Sequence, residues 1–153
     1  MEDDFGWDRA VARPVGIPPG LEIAVIRTAD DWADLCREFP LAVTAEKRQD
    51  WYRTTGRAGE WVMPDWEQVA GHYDGVHLTT HAYLTAAGRA IDLGDPSAPD
   101  PAHNPRASVI AGWNPDQTFW LTDRVRVWDE PAVWEQQEPD AGSGLFRWRQ
   151  KES

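Results

Sequence analysis

A chain of 153 residues, 41% of them apolar, is long enough to close one hydrophobic core as a single ordinary domain. Its 26 acidic against 15 basic residues leave a net charge of −11, a field that repels phosphate backbones and sets nucleic acid aside as a direct ligand. No apolar run approaches the roughly 20 residues of a membrane helix. The start, Met1-Glu2-Asp3-Asp4-Phe5, lacks the basic and apolar regions of a signal peptide, and the single Cys36 has no internal disulfide partner, so the expected setting is the reducing cytoplasm.

In chain order, residues 1–20 read as an irregular N-terminal arm, since Gly16-Ile17-Pro18-Pro19-Gly20 can neither continue a helix nor sit in a central strand. Phe5 and Trp7 are candidates to pin that arm down. Leu21 to Ile26 is a short β-branched run and predicts the first strand. Thr28-Ala29-Asp30-Asp31 then has the pattern of a helix cap, with acids at the positive end of the dipole. Trp32, Leu35, Cys36 and Phe39 follow at i, i+3, i+4 and i+7, one apolar stripe that ends before Pro40. Cys36 lies on that stripe, which makes it a buried, inert thiol rather than a nucleophile.

Thr44 is read as the cap of a short polar surface helix reaching Trp51, followed by a loop over 54–60 in which Arg53 and Arg57 could meet an anion. Pro64-Asp65 opens the clearest helix: Asp65 can cap, Gln68 stands three residues on, and Trp66, Val69, Ala70 and Tyr73 keep the helical spacing. Asp74-Gly75 turns the chain into a strand over 76–79; Thr80 to Ala87 reads either as a helix closed by Gly88, which its alanines favour, or as a continuation of the strand, which Tyr83 and the Thr residues favour. Asp92 to Pro105 is a Pro-rich surface excursion. Ser108 to Trp113 and Thr118 to Asp123 flank Asn114-Pro115-Asp116-Gln117, type I turn chemistry between β-formers, and together they predict an antiparallel β-hairpin at about 108–123. Arg124 to Trp128 extends that strand or begins another. The expected organisation is an arm (1–20), one α+β domain (21–137) with short capped helices in its first half, and a linker with an aromatic, basic tail (138–153).

The segment Tyr73-Asp74-Gly75-Val76-His77-Leu78-Thr79-Thr80-His81-Ala82-Tyr83 concentrates the candidate chemistry, because His72, His77 and His81 are three of the chain's four histidines. His77 and His81 are four apart, a spacing that lets two rings share a metal on one helix. The metalloprotease base that would follow the first His is Leu78 here, and no Cys pair supports a structural zinc site, so no metal is favoured. As a ligand pocket, Tyr73, His77, Thr79, His81 and Tyr83 form a wall, with Trp113, Trp120 or Trp61 as apolar floor. As a catalytic site, Asp74 and His77 form an acid–base couple with His81 beside them. The competing readings are plain: Asp74-Gly75 as turn chemistry, Tyr73 as the last core residue of its helix, and each histidine bonded to a neighbouring carbonyl or carboxylate.

Two resemblances accompany these readings. Arg27 on an early strand, Thr79 or Thr80 on a middle one, and Gln136-Gln137-Glu138 late in the chain follow an order similar to that of ADP-ribosyltransferases; the Ser-Thr-Ser element is missing, and Pro139 directly follows Glu138. The motifs Tyr73-Asp74-Gly75-Val76-His77-Leu78-Thr79 with Tyr83-Leu84, and Ala111-Gly112-Trp113-Asn114-Pro115-Asp116-Gln117-Thr118-Phe119-Trp120-Leu121, resemble a pattern in small uncharacterised actinobacterial proteins over residues 21–123. That second likeness implies a bacterial cytosolic origin and no particular activity.

Ten Trp exceed what a core of this size readily hides, since each aromatic removes roughly 150–250 Å² from water. The expected function is therefore a small acidic, Trp-rich binding or accessory domain recognising a protein, for which a basic partner suits the charge, or a small molecule. The alternative is an enzyme with its site around His72 to Tyr83, acid–base or ADP-ribosyltransferase-like. No motif names a cofactor.

Overall fold

The computed structural model describes residues 8–94, 106–138 and 147–151. The chain is α+β and divides into two compact units: Gly20–Thr122, and the two termini Met1–Pro19 with Asp123–Ser153.

In the central unit, β3 (Ile23–Ile26) runs parallel to β6 (Gly75–Leu78), and β9 (Gln117–Trp120) adds antiparallel to β6. A second sheet has the order β4 (Pro40–Ala42), β5 (Glu60–Pro64), β8 (Arg106–Ser108), β7 (Ile91–Asp92), with β5 and β8 parallel and the outer pairs antiparallel. Its helix α1 (Ala29–Glu38) starts at the expected cap. The Thr28 hydroxyl accepts from the Asp31 N–H, and the Asp31 carboxylate accepts in return from the Thr28 N–H at 2.9 Å. Trp32, Leu35, Cys36 and Phe39 are all buried, as their spacing requires.

The next helix, α2 (Thr44–Thr55), departs from expectation in two ways. Val43, not Thr44, is its N-cap, and the Thr44 hydroxyl instead accepts the Trp61 N–H at 2.8 Å, tying the helix start to β5. It also runs four residues past Trp51, until Gly56 takes φ 71° and closes it with a left-handed cap. The run Ala45-Glu46-Lys47-Arg48-Gln49 is made of strong helix formers, so intrinsic propensity carries this helix more than amphipathic patterning does. It is not wholly a surface segment, because Trp51 is buried.

A short α3 (Trp66–Ala70) is capped by Asp65, whose carboxylate accepts from the Glu67 and Gln68 N–H groups and from the Gln68 side chain at 2.6 Å. That side-chain bond, first among the causes, holds the Asp65 carboxyl below its usual range. The residues Thr80–Ala86 form α4, capped by the Thr79 hydroxyl.

Two apolar clusters fill this unit. One gathers α1, β6 and α4 around Trp32, Cys36, Val76, Leu78, Ala82 and Ile110; the other gathers Val43, Trp51, Trp61, Ala107 and Val109. Consecutive residues of β5 divide between them, Trp61 into the second and Val62 into the first, which is the alternation of a strand covered on both faces.

The hairpin expected over 108–123 does not form between its two flanks. The Asn114–Gln117 segment does fold locally, with the Asn114 N–H donating to the Gln117 side-chain oxygen at 2.8 Å. However, β8 pairs with β5 and β7, whereas β9 pairs with β6 in the other sheet. The chain leaves the ladder after Ser108, and Val109 and Ile110 that follow are buried in different clusters. Strand pairing here follows burial, and the turn has no say in it.

In the terminal unit, β1 (Arg9–Ala12) and β12 (Arg147–Gln150) flank β11 (Ala132–Gln137), both antiparallel. A small ribbon pairs β2 (Val15–Gly16) with β10 (Arg126–Val127). The arm expected to be irregular thus holds two strands, and the tail holds one. The register sets Glu135 opposite both Arg9 and Arg149, opposite charges facing across strands, and Lys151 Nζ reaches Glu135 at 2.9 Å. Phe5, Trp7, most of the Pro-rich excursion and the linker from Pro139 lie outside the described residues. No described helix is long and apolar enough to cross a membrane.

Candidate functional site

The histidines do not come together. His72 lies at the end of α3 with Nδ1 3.1 Å from the Gln68 carbonyl and its ring against Phe39, centroids 5.0 Å apart. His81 is exposed on α4. His77 points out of β6, held by Thr118 Oγ1 at 2.8 Å from Nδ1 and by Asp116 at 3.5 Å from Nε2. Among the described residues, no group of three or more His, Cys, Asp or Glu could hold a metal ion.

Asp74 is committed elsewhere. Its carboxylate accepts the Glu22 N–H at 2.9 Å, its own N–H donates to the Glu22 carbonyl, and its carbonyl accepts from the Leu121 N–H at 2.8 Å. It therefore fastens the entrances of β3 and β6 and the exit of β9 to one another. The acid beside His77 is Asp116, which sits at φ 57°. Thr79 donates its hydroxyl to the Ile26 carbonyl and accepts from the Ala82 N–H. Tyr73 and Tyr83 pack against the core. Of the residues whose order is similar to ADP-ribosyltransferases, Arg27, Thr79 and Thr80 belong to the central unit, and Glu138 to the terminal one.

The concave site lies instead where the two apolar clusters meet, just beyond the C-terminal end of β8. It is a cavity of about 440 Å³. One side is a triangle of indoles: Trp32 from α1, Trp66 from α3 and Trp113 from the loop after β8, with ring centroids 6.1 to 6.2 Å apart. Phe119 of β9 stands edge-on to Trp113 at 4.4 Å and is 41% exposed, so it forms part of the rim. The lining also includes Trp51 of α2, Met63 of β5 and Val109. Trp51 itself rests edge-on against Trp61 at 5.2 Å. These walls are stiff, because Trp32 and Trp51 are buried and the Trp32 indole N–H donates to Ser108 Oγ at 2.9 Å.

The lining carries one charge. Lys47 lies one helical turn before Trp51 on α2, so both project from the same face into the cavity. Among the described residues its ammonium has no ion-pair or hydrogen-bond partner. Among the described residues no carboxylate lines the cavity.

Of the residues picked out as a ligand pocket, Trp113 alone lines this cavity. The pleat explains the rest of the strand residues. Val76 and Phe119 are register partners on one face of the β3–β6–β9 sheet, whereas His77, Thr118, Gly75 and Trp120 share the other. Lys47 and Trp51 had a sequence signal, the i, i+4 spacing in a polar helix, but nothing local shows which side of that helix is covered. No protein-family model, curated protein or solved structure matches the chain.

Proposed function

We propose that the chain is a small binding domain whose ligand is a flat, largely apolar small molecule held in the aromatic cavity of the central unit. The observation that carries this is the indole triangle, preformed and rigid, which with Trp51 and Met63 lines a cavity of about 440 Å³, a size within the usual range of small-molecule sites. Rings already fixed by packing lose little entropy when a ligand stacks on them, which favours affinity. The described lining holds no Ser, Thr, Cys, His, Asp or Glu, and so no acid–base pair or metal ligand set, and this supports binding over turnover.

An acid–base enzyme is the second reading, and what favours it is His77 held between Thr118 and Asp116. Binding of naphthalene-2-carboxamide by calorimetry separates the two. Ala111→Leu, at an exposed position on the cavity lining, is expected to weaken binding about tenfold by filling the space, while His77→Ala leaves it unchanged. The reverse pattern would move the site to His77.

A further inference from the structure

We propose, on the basis of that cavity, that its ligand is an aromatic monoanion, a planar ring system carrying one carboxylate-like group that pairs with the ammonium of Lys47. A box of aromatic rings by itself suits a cation, because ring faces are electronegative. Cation recognition at such sites is helped by carboxylates, and among the described residues no Asp or Glu lines this cavity. The charge that does line it is positive. Lys47 is half-buried beside Trp51, and its ammonium has no partner among the described residues. A cationic ligand would meet like charge in apolar surroundings, whereas an anion would supply the missing partner.

The placement also sets the ligand's orientation. Trp32, Trp66 and Trp113 form one group of rings, whereas Lys47 shares α2 with Trp51. The ring system faces the indole triangle and its anionic group faces α2. The Trp32 N–H is already given to Ser108, which leaves Lys47 as the charged donor of the described lining.

Three probes of one shape and different charge test this: naphthalene-2-carboxylate, naphthalene-2-carboxamide and naphthalen-2-ylmethylammonium, titrated calorimetrically into the full chain, into Lys47→Met and into Lys47→Arg. Methionine keeps the length of the apolar stem, so the fold and the cavity wall are retained. The wild-type chain is expected to bind the carboxylate about tenfold more tightly than the amide, the worth of one charge-assisted hydrogen bond. Lys47→Met removes that preference and leaves amide affinity within about twofold, and Lys47→Arg restores it. Equal weakening of carboxylate and amide by Lys47→Met would overturn the assignment, since Lys47 would then act by packing. Tighter binding of the ammonium probe by the wild-type chain would overturn it in favour of a cation cage. Failure of all three probes to bind the wild-type chain would remove the cavity reading itself, and this one with it.

Discussion

Ser108 shows how one buried polar atom can organise a core. It is fully buried, and its hydroxyl accepts the indole N–H of Trp32 at 2.9 Å and meets the Cys36 thiol at 3.4 Å. Two residues one helical turn apart on α1 are thereby registered against β8, and the orientation of Trp32, a wall of the cavity, follows from that bond. Burial pushes the Cys36 thiol up to about 12, with the Ser108 bond acting weakly in the opposite sense. The folded state therefore holds the thiol neutral while the unfolded chain, at its ordinary 9.0, releases the proton. This contribution to stability is complete below pH 9 and is lost as pH rises from there toward 12. Urea unfolding at increasing pH is expected to show the parent chain losing stability relative to Cys36→Ala above pH 9. Parallel curves across that range would mean the thiol is not held in its neutral form.

At the scale of elements, the caps of α1 and α3 were legible, whereas the Thr79 cap of α4 and the strands' partners were not. Thr28 with Asp31, and Asp65 with Gln68, announce α1 and α3 because a cap needs only residues within one turn. The strand β6 was equally plain, yet its neighbours are 52 residues earlier and about 40 later, and no local pattern names them. Gly75 is the point where that pairing is tightest. A Cβ there would stand 3.0 Å from the Phe119 carbonyl, 3.1 Å from the Trp120 ring and 3.3 Å from Ile23, so a side chain would push β3 and β9 away from β6. Read from sequence, this glycine served a turn with Asp74; in the fold it is a strand residue that allows close approach. Gly75→Ala is expected to cost about 1–3 kcal/mol in chemical denaturation, as overpacking does. A loss below about 0.5 kcal/mol would show that the three strands can shift freely.

For the whole molecule, among the described residues, the two sheets of the central unit take every strand from residues 20–122, and those of the terminal unit take every strand from the two ends. Both apolar clusters, and the whole lining of the cavity, likewise come from the central stretch. A chain limited to Gly20–Thr122 is accordingly expected to unfold cooperatively and to retain naphthalene-2-carboxylate binding within about threefold of the full chain. Non-cooperative unfolding of that fragment would show that the central clusters do not suffice.

The amino-acid sequence by itself determined the α+β class, the caps of α1 and α3, the Trp32–Phe39 stripe, the course of β6 and the concentration of aromatic residues, because each rests on propensity, capping or periodicity within a few residues. Tertiary structure alone decided that Asp74 would fasten strands rather than act on His77, that the flanks of Asn114–Gln117 would join different sheets, and that the two ends of the chain would pair. It also decided that Lys47, a residue indistinguishable in sequence from any solvated lysine, would stand beside Trp51 at an aromatic cavity. The physical reason is common to all four. Which face of a helix or strand is covered depends on what packs there from a distant part of the chain, and the free energy of that burial is a property of the assembled core that no local window contains.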